Sequence, residues 1–279
     1  VTPGPDPAQL SMPRPAPLST AADRRQRVQS AETGMAVLKA LARLGGSASL
    51  TAIAAEVQES AAKVHRYLAS LGQEALVAQN PATQHYQLGP ESIRIGLAAL
   101  RQCDPVRMGE GALLRLREAL QVTSFIAVMG NRGPTVLRME EPALPVTVNI
   151  RAGSVLPLLW SATGQVFLAF SDDAQLPRQA ADEYEAAPPE QRSLLAGPDP
   201  VALVRRQVRE QGCAIVHDTL LRGISAVAAP IFDARGHVVA VLTALGASNG
   251  FDARPGGTVC PRVVQEAADT SAAMGFAPA

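Results

Sequence analysis

The sequence predicts an α+β chain in two parts: a helical N-terminal unit closed by a two-stranded wing, then a unit built on an antiparallel sheet. Three observations carry this prediction. Residues 50–71, LTAIAAEVQESAAKVHRYLASL, hold two short runs of helical periodicity joined by a tight turn. A strand–turn–strand pattern follows at once, from Val77 to Leu88. From residue 105 onward, helices alternate with short strands that tight turns connect.

The first helix is expected from Ser30, as its N-cap, to about Leu44. Ala31, Met35, Leu38, Leu41 and Ala42 form its buried stripe, and Gly45-Gly46 ends it. Ser47 or Ser49 caps the second, which runs from Leu50 to Val57 with Leu50, Ile53, Ala54 and Val57 on one face. The third runs from its N-cap Ser60 to Leu71. Val64, Tyr67, Leu68 and Leu71 face inward, and Lys63, Arg66 and Ser70 face outward. Two readings fit this division: an ordinary helical hairpin with a solvated polar face, or a helix-turn-helix whose polar face meets a DNA major groove. The wing favours the second. Val77 to Gln79 is a strand, Asn80-Pro81-Ala82-Thr83 a turn, and His85 to Leu88 the returning strand.

On this reading Ser60, Ala61, Lys63 and Arg66 lie nearest the DNA, and Thr51 and Tyr67 are candidate phosphate contacts. Arg66 has three readings that the sequence does not separate: a bidentate pair with guanine, a phosphate contact or a helix cap. His65 is read first as a structural residue at the helix–helix corner. Between Asp23 and Pro90 there are seven Lys/Arg and five Asp/Glu, a modest excess for a DNA-binding module.

At 279 residues the chain has room for two ordinary domains. Its formal charge is zero, and lysine occurs only at 39 and 63, as expected of a GC-rich genome. Residues 1–27, with six prolines in the first 22, are expected to be a disordered tail. Arg24, Arg25 and Arg27 in it read as a solvated lead-in or as an arm touching DNA. The first ten residues lack a signal-peptide pattern, and no apolar run reaches the roughly 18 residues of a membrane span. Three cysteines without a CxxC pair fit reduced thiols. A cytoplasmic chain with no membrane partner is therefore expected.

Pro90 opens a helix that continues to about Arg101, with Ile93, Ile95, Leu97, Ala98 and Leu100 as its apolar residues. Val106 to Leu120 is the next, with Met108, Leu113, Leu114, Leu116 and Leu120. Strands are expected at 123–129, 135–139, 146–150, 213–216, 225–232 and 237–245. Helices are expected at 201–211 and about 262–274, and Asp182 to Pro200 is read as a surface excursion.

The motifs LTAIAAEV, KVHRYLASL and V-x-x-N-P-A-T-x-x-Y-x-L-G, preceded by Val28 to Glu32, resemble the DNA-binding domain of the IclR family of bacterial transcriptional regulators. Two later stretches extend the resemblance. Gly153 to Leu158 with Ser161 to Phe170 is similar to the family's ligand-pocket loop and following helix, and Gly223 to Ile231 to its strand across the pocket. It covers about residues 28–275. It implies a winged helix-turn-helix at 28–90, a linker helix at 91–104 that helps a dimer form, and a GAF-like effector-binding domain at 105–279. Family wing positions that are usually basic are here Ala78, Gln79 and His85, so affinity is expected to rest on the recognition helix and on dimerisation.

The resemblance also implies effector-site candidates. Gly153 and Ser154 are expected to offer backbone N–H groups near a helix start, where a carboxylate sits well. Leu156 and Trp160 form an apolar wall, although Trp160 also reads as a core or interface residue. Ala162, Cys213 and Ser225 complete the set, with Ala226 and Thr219 where relatives that bind very small oxoacids carry Cys and a polar side chain. The expected effector is a small organic acid with an apolar or aromatic body.

An enzyme reading is weak. Cys213 and His217 would share a strand face about 13 Å apart, too far for shared chemistry. No P-loop, HExxH or dinucleotide fingerprint occurs, so neither cofactor nor metal is expected. The expected function is a homodimeric or tetrameric regulator of double-stranded DNA with a near-palindromic operator. The alternative is a small-molecule sensor that acts through protein–protein contacts, with a weak DNA-binding domain.

Overall fold

The computed structural model describes residues 28–142, 150–195 and 197–278. The N-terminal tail, with Arg24, Arg25 and Arg27, lies outside the described residues, as does the strand expected at 146–150 apart from Ile150. The chain divides into two compact units, the first ending at Arg101 and the second starting at Gln102.

The first unit holds α1 (Gln29–Arg43), β1 (Ser47–Ala48), α2 (Leu50–Val57), α3 (Ala61–Gln73), β2 (Val77–Gln79), β3 (Tyr86–Leu88) and α4 (Pro90–Leu100). Ser49 and Ser60 cap α2 and α3, accepting hydrogen bonds from the backbone N–H groups of Ala52 and Lys63. Gln58 turns the chain between them in the left-handed conformation, at φ 56°. Val37, Leu41, Ile53, Val64, Leu68, Val77 and Tyr86 form one core. The wing has three strands in the order β1-β3-β2, because Ser47–Ala48 adds to β3. In the wing turn, the Asn80 carboxamide oxygen accepts from Ala82 N and Thr83 N.

Helix α1 departs from expectation. Val28 is its N-cap, no side chain caps it, and Ser30 lies inside the helix. Its buried residues are Gly34, Val37, Ala40 and Leu41, whereas Ala31, Met35 and Ala42 are exposed. The tertiary partners α2 and α3 select a face about one residue round from the one that periodicity favours.

The second unit holds α5 (Pro105–Leu120), β4 (Thr123–Gly130), β5 (Gly133–Glu140), α6 (Ala162–Phe170), α7 (Leu176–Ala186), α8 (Pro189–Arg192) and a 3-10 turn at Ser193–Leu195. Then follow α9 (Pro200–Gln211), β6 (Ala214–His217), β7 (Ile224–Phe232), β8 (Val238–Ala247) and α10 (Val259–Ala273). The five strands form one antiparallel sheet in the order β5-β4-β8-β7-β6. Side-chain alternation sends Ile126, Val227, Ala229, Ile231 and Leu242 to one face, where α5 and α10 cover them. It sends Ala214, Val216, Ala228 and Val241 to the other, under α6 and α9.

Two further expectations change here. Leu114 is exposed, while Ala112, Leu113 and Leu116 make the inner face of α5. Residues 182–200 are no mere surface excursion, since they include the end of α7, which packs on the segment before α6. The Glu183 carboxylate accepts from Leu158 N and Leu159 N, and the Tyr184 ring stacks on Trp160.

Candidate functional site

In the first unit, α3 presents a polar face. Ser60, Ala61, His65 and Arg66 are exposed, and Lys63 is half-exposed. The Lys63 ammonium is not free: Nζ lies 2.6 Å from Glu59 Oε1, one helical turn back. Arg66 carries its guanidinium into open space, and its backbone carbonyl accepts from Ser70 Oγ. Thr51 Oγ1 lies 3.0 Å from Ser49 Oγ at the exposed start of α2. Tyr67 is half-buried against the core and packs beside Gly34. His65 is exposed beside Arg66, so it is not the structural corner residue expected. Glu59 was missed as well; its i,i+4 spacing from Lys63 was the signal in the sequence.

In the second unit, a small cavity of about 40 Å³, partly open to solvent, lies on the α6 face of the sheet. Sheet residues Phe125, Val216, Ile224, Ala226 and Leu245 form its floor. Leu156 and the α6 N-terminus close one side, and Leu220 and Leu221 another. The polar lining is Ser161, Thr163 and Thr243. Thr163 Oγ1 and Thr243 Oγ1 are 2.8 Å apart, which ties α6 to β8. Ser161 Oγ caps α6 by accepting from Gly164 N, and donates to the Pro157 carbonyl. Ala162 and Thr163 open the helix, so their N–H groups have no intrahelical acceptor.

Of the residues read from sequence as effector contacts, Leu156, Ala162 and Ala226 line this cavity. Gly153 and Ser154 do not: they lie well ahead of α6, and their N–H groups already donate to the carbonyls of Val136 and Arg151. They belong to a segment that pairs with the β5 edge, Val155 bridging Thr135. Trp160 is buried in the α6 core against Tyr184 and is no cavity wall. Thr219 donates from its hydroxyl to the Trp160 carbonyl. Ser225 neighbours Ala226 on β7 and so faces the other side of the sheet, bonded to His217 and Ser248. The lining residues that sequence reasoning missed come from several separate elements, among them Thr243 of β8 and Leu220 and Leu221 of the β6–β7 connection. Ser161, Thr163 and Ile224 were missed too, although they sit in motifs that had been singled out.

Cys213 is also on the far face. Its Sγ lies 3.5 Å from Cys260 Sγ of α10, inside the α5–α10 core. Burial, then the hydrogen bond with Cys260, pushes the Cys213 thiol up to about 12, which keeps it un-ionised at neutral pH. His217 is exposed and bonded elsewhere. The two therefore form no nucleophile–base pair. Among the described residues no group of three or more His, Cys, Asp or Glu is placed to hold a metal ion. No described helix is long and apolar enough to cross a membrane.

The same two-part architecture recurs in known proteins. Residues 99–272 match the bacterial transcriptional regulator IclR C-terminal domain, and residues 30–81 match the IclR helix-turn-helix domain. The crystal structure of Pseudomonas aeruginosa HmgR is 39% identical, with a TM-score of 0.81, over 90% of this chain and 100% of that one. The Agobacterium tumefaciens repressor BlcR shares the fold, with a TM-score of 0.72 at 18% identity over 90% of this chain and 99% of its own. By sequence, the Paracoccus denitrificans HTH-type transcriptional regulator BhcR is 26% identical over 71% of this chain and 70% of its own length. The Pca regulon regulatory protein of Pseudomonas putida is 26% identical over 75% of this chain and 71% of its own. A helix-turn-helix with its wing, followed by a sheet domain with a partly open cavity under α6, thus matches one family over both parts, and the chain belongs to the IclR family of bacterial transcriptional regulators.

Proposed function

We propose that this regulator binds a small organic acid with an apolar or aromatic body in the cavity under α6, and that the acid controls operator binding. The cavity wall carries the reading. Its lining is apolar except for Ser161, Thr163 and Thr243, and no charged side chain lines it among the described residues. An apolar or aromatic body suits the sheet floor. A carboxylate has one suitable handle, the N-terminus of α6 at Ala162 and Thr163, where the helix dipole favours negative charge.

On the DNA side, Ser60, Ala61, Lys63 and Arg66 approach the major groove, with Thr51 and Tyr67 toward phosphates. A near-palindromic operator needs two such units. Helix α4 has no buried residue, and Ile93, Leu97 and Leu100 recur along one face at helical spacing, a surface suited to a second copy. A homodimer or tetramer working in the cytoplasm follows from this reading. The effector acts by binding the DNA-competent and DNA-incompetent arrangements differently.

The test is a thermal-shift titration with phenylacetate, 4-hydroxybenzoate, pyruvate and glyoxylate, paired with operator binding by fluorescence anisotropy. An aromatic acid should raise the melting temperature and change operator affinity. Ala226→Leu, which extends into the cavity, should remove both effects while the protein stays folded. Binding of glyoxylate-sized acids alone, or an unchanged response in Ala226→Leu, would sink the reading.

A further inference from the structure

Residues 218–223, which join β6 to β7, are a thin partition. On one side Leu220 and Leu221 line the ligand cavity. On the other, Asp218, Thr219, Leu220 and Arg222 line a surface groove shared with Pro188, Glu190, Gln191 and Leu194. Every residue of the segment except Thr219 is exposed, so little packing holds it down. Both ends are left-handed, Asp218 at φ 56° and Gly223 at φ 78°. These are positions where a chain can pivot, and aspartate is among the few residues with a Cβ that tolerate the conformation.

Hydrogen bonds close the segment in place of packing. Asp218 Oδ1 accepts from Gly223 N at 2.8 Å, joining the two pivots, and from Ser248 Oγ at 2.9 Å, joining both to the end of β8. Ser248 Oγ lies 2.8 Å from Ser225 Oγ, which lies 2.9 Å from His217 Nδ1. The direction of donation follows from the carboxylate, which only accepts. The single Ser248 proton goes to Asp218, so Ser225 donates to Ser248, and His217 Nδ1 must carry the hydrogen that Ser225 accepts. All the donors point one way, toward Asp218. Away from the pivots, the tip is held by Thr219 Oγ1 on the Trp160 carbonyl, and by Gln191 Nε2 on the Thr219 carbonyl.

We propose that residues 218–223 are a lid on the ligand cavity, latched shut by the chain His217–Ser225–Ser248–Asp218. The lid swings toward the groove behind it when the latch opens, and ligand enters past Leu220 and Leu221. The latch sets the rate of ligand exchange more than the affinity, because none of its four residues lines the cavity. This rests on the reading of that cavity as the effector site, so the test has one arm that needs no ligand.

The first arm is hydrogen exchange by mass spectrometry on the full chain. In Ser248→Ala, amides of 218–224 should exchange roughly tenfold faster than in the native protein, the scale of one charge-assisted hydrogen bond. Asp218→Ala should exceed that. Asp218→Asn, whose carboxamide oxygen still accepts without the charge and whose backbone tolerates the left-handed conformation, should fall between the native protein and Asp218→Ala. Exchange in β4 and α5 should stay unchanged in all three, showing a folded domain. Native-like exchange of 218–224 in both alanine variants overturns the latch. The second arm follows phenylacetate binding by stopped-flow fluorescence of Trp160. Ser248→Ala should raise association and dissociation rates together, with Kd changed less than about threefold. A Kd that weakens while association stays at the native rate makes the chain part of the binding surface and overturns the proposal. If phenylacetate binds no variant, the choice of acid falls while the exchange arm still decides the latch.

Discussion

Trp160 and Tyr184 stack with ring centroids 6.2 Å apart and planes 15° from parallel. The contact joins the segment before α6 to α7, and the Glu183 carboxylate beside it accepts from Leu158 N and Leu159 N, both at 2.9 Å. A carboxylate from the following helix thus satisfies two backbone donors just ahead of the helix that walls the cavity. Hydrogen bonds to a charged acceptor are the stronger kind.

Glu183→Ala should therefore destabilise the second unit by about 1.5–3 kcal/mol, the scale of hydrogen bonds to a charged group. Urea denaturation followed through the single tryptophan reads this directly. A change below about 0.5 kcal/mol would mean that water replaces the carboxylate without cost.

Arg66→Ala should cost about 1–3 kcal/mol of affinity per half-site and relax base selection at one position of each. Lys63 behaves differently, because Glu59 already holds its ammonium. Glu59→Gln should free it for a phosphate and steepen the dependence of log K on log salt by up to about 0.9 per half-site. Anisotropy titrations across a salt series measure both. An unchanged slope in Glu59→Gln would show that the pair survives on DNA or never meets a phosphate.

The Cys213 thiol gives the second unit a pH limit. Its pKa is raised from 9.0 in an open chain to about 12 by burial and by Cys260. The folded state therefore holds this proton in a range where the unfolded chain has lost it. Stability from this group is fully present below about pH 9 and falls as pH rises toward 12, by at most about 1.4 kcal/mol per pH unit. Cys213→Ala should flatten that fall in denaturation midpoints measured between pH 8.5 and 10.5. An equal slope in the variant would assign the alkaline loss to other groups.

Gly164 sits where α6 passes the Pro157 carbonyl and the Leu158 backbone, and a Cβ there would collide with both. Neither obstacle is a flexible side-chain end. Gly164→Ala should cost about 3 kcal/mol or more despite the better helix propensity of alanine. Calorimetry should show the second unit melting earlier. A stabilised variant would mean that α6 can shift away.

The N-terminal unit was largely legible because its signals are local. Ser49 and Ser60 cap helices within three residues of themselves, and Leu50–Val57 has the predicted bounds. The Asn80 turn bonds within its own four residues. Even here the α1 stripe was misjudged: Met35 and Val37 are both apolar, and only the packing of α2 and α3 chooses between them. The third wing strand was invisible, since two residues, Ser47–Ala48, carry no periodicity of their own.

The candidate ligand site was much less legible, because its walls are set by register between strands far apart in the chain. Ala226 faces the cavity and Ser225 the opposite core because strand neighbours alternate, and which of the two faces inward depends on pairing with β6 and β8. Gly153 and Ser154 have the residue types of an anion loop, but their N–H groups are bonded within the loop and to β5. Trp160 looked like a wall until α7 covered it. By itself the sequence determined the family and the helix-turn-helix, because periodicity, caps and turns act over a few residues, whereas β1, α7 and α8 had no such signal. Which side chains meet in the cavity, and which bonds hold its lid, was decided only in the folded chain, where strand register and helix packing bring together residues about 80 apart, as with Thr163 and Thr243.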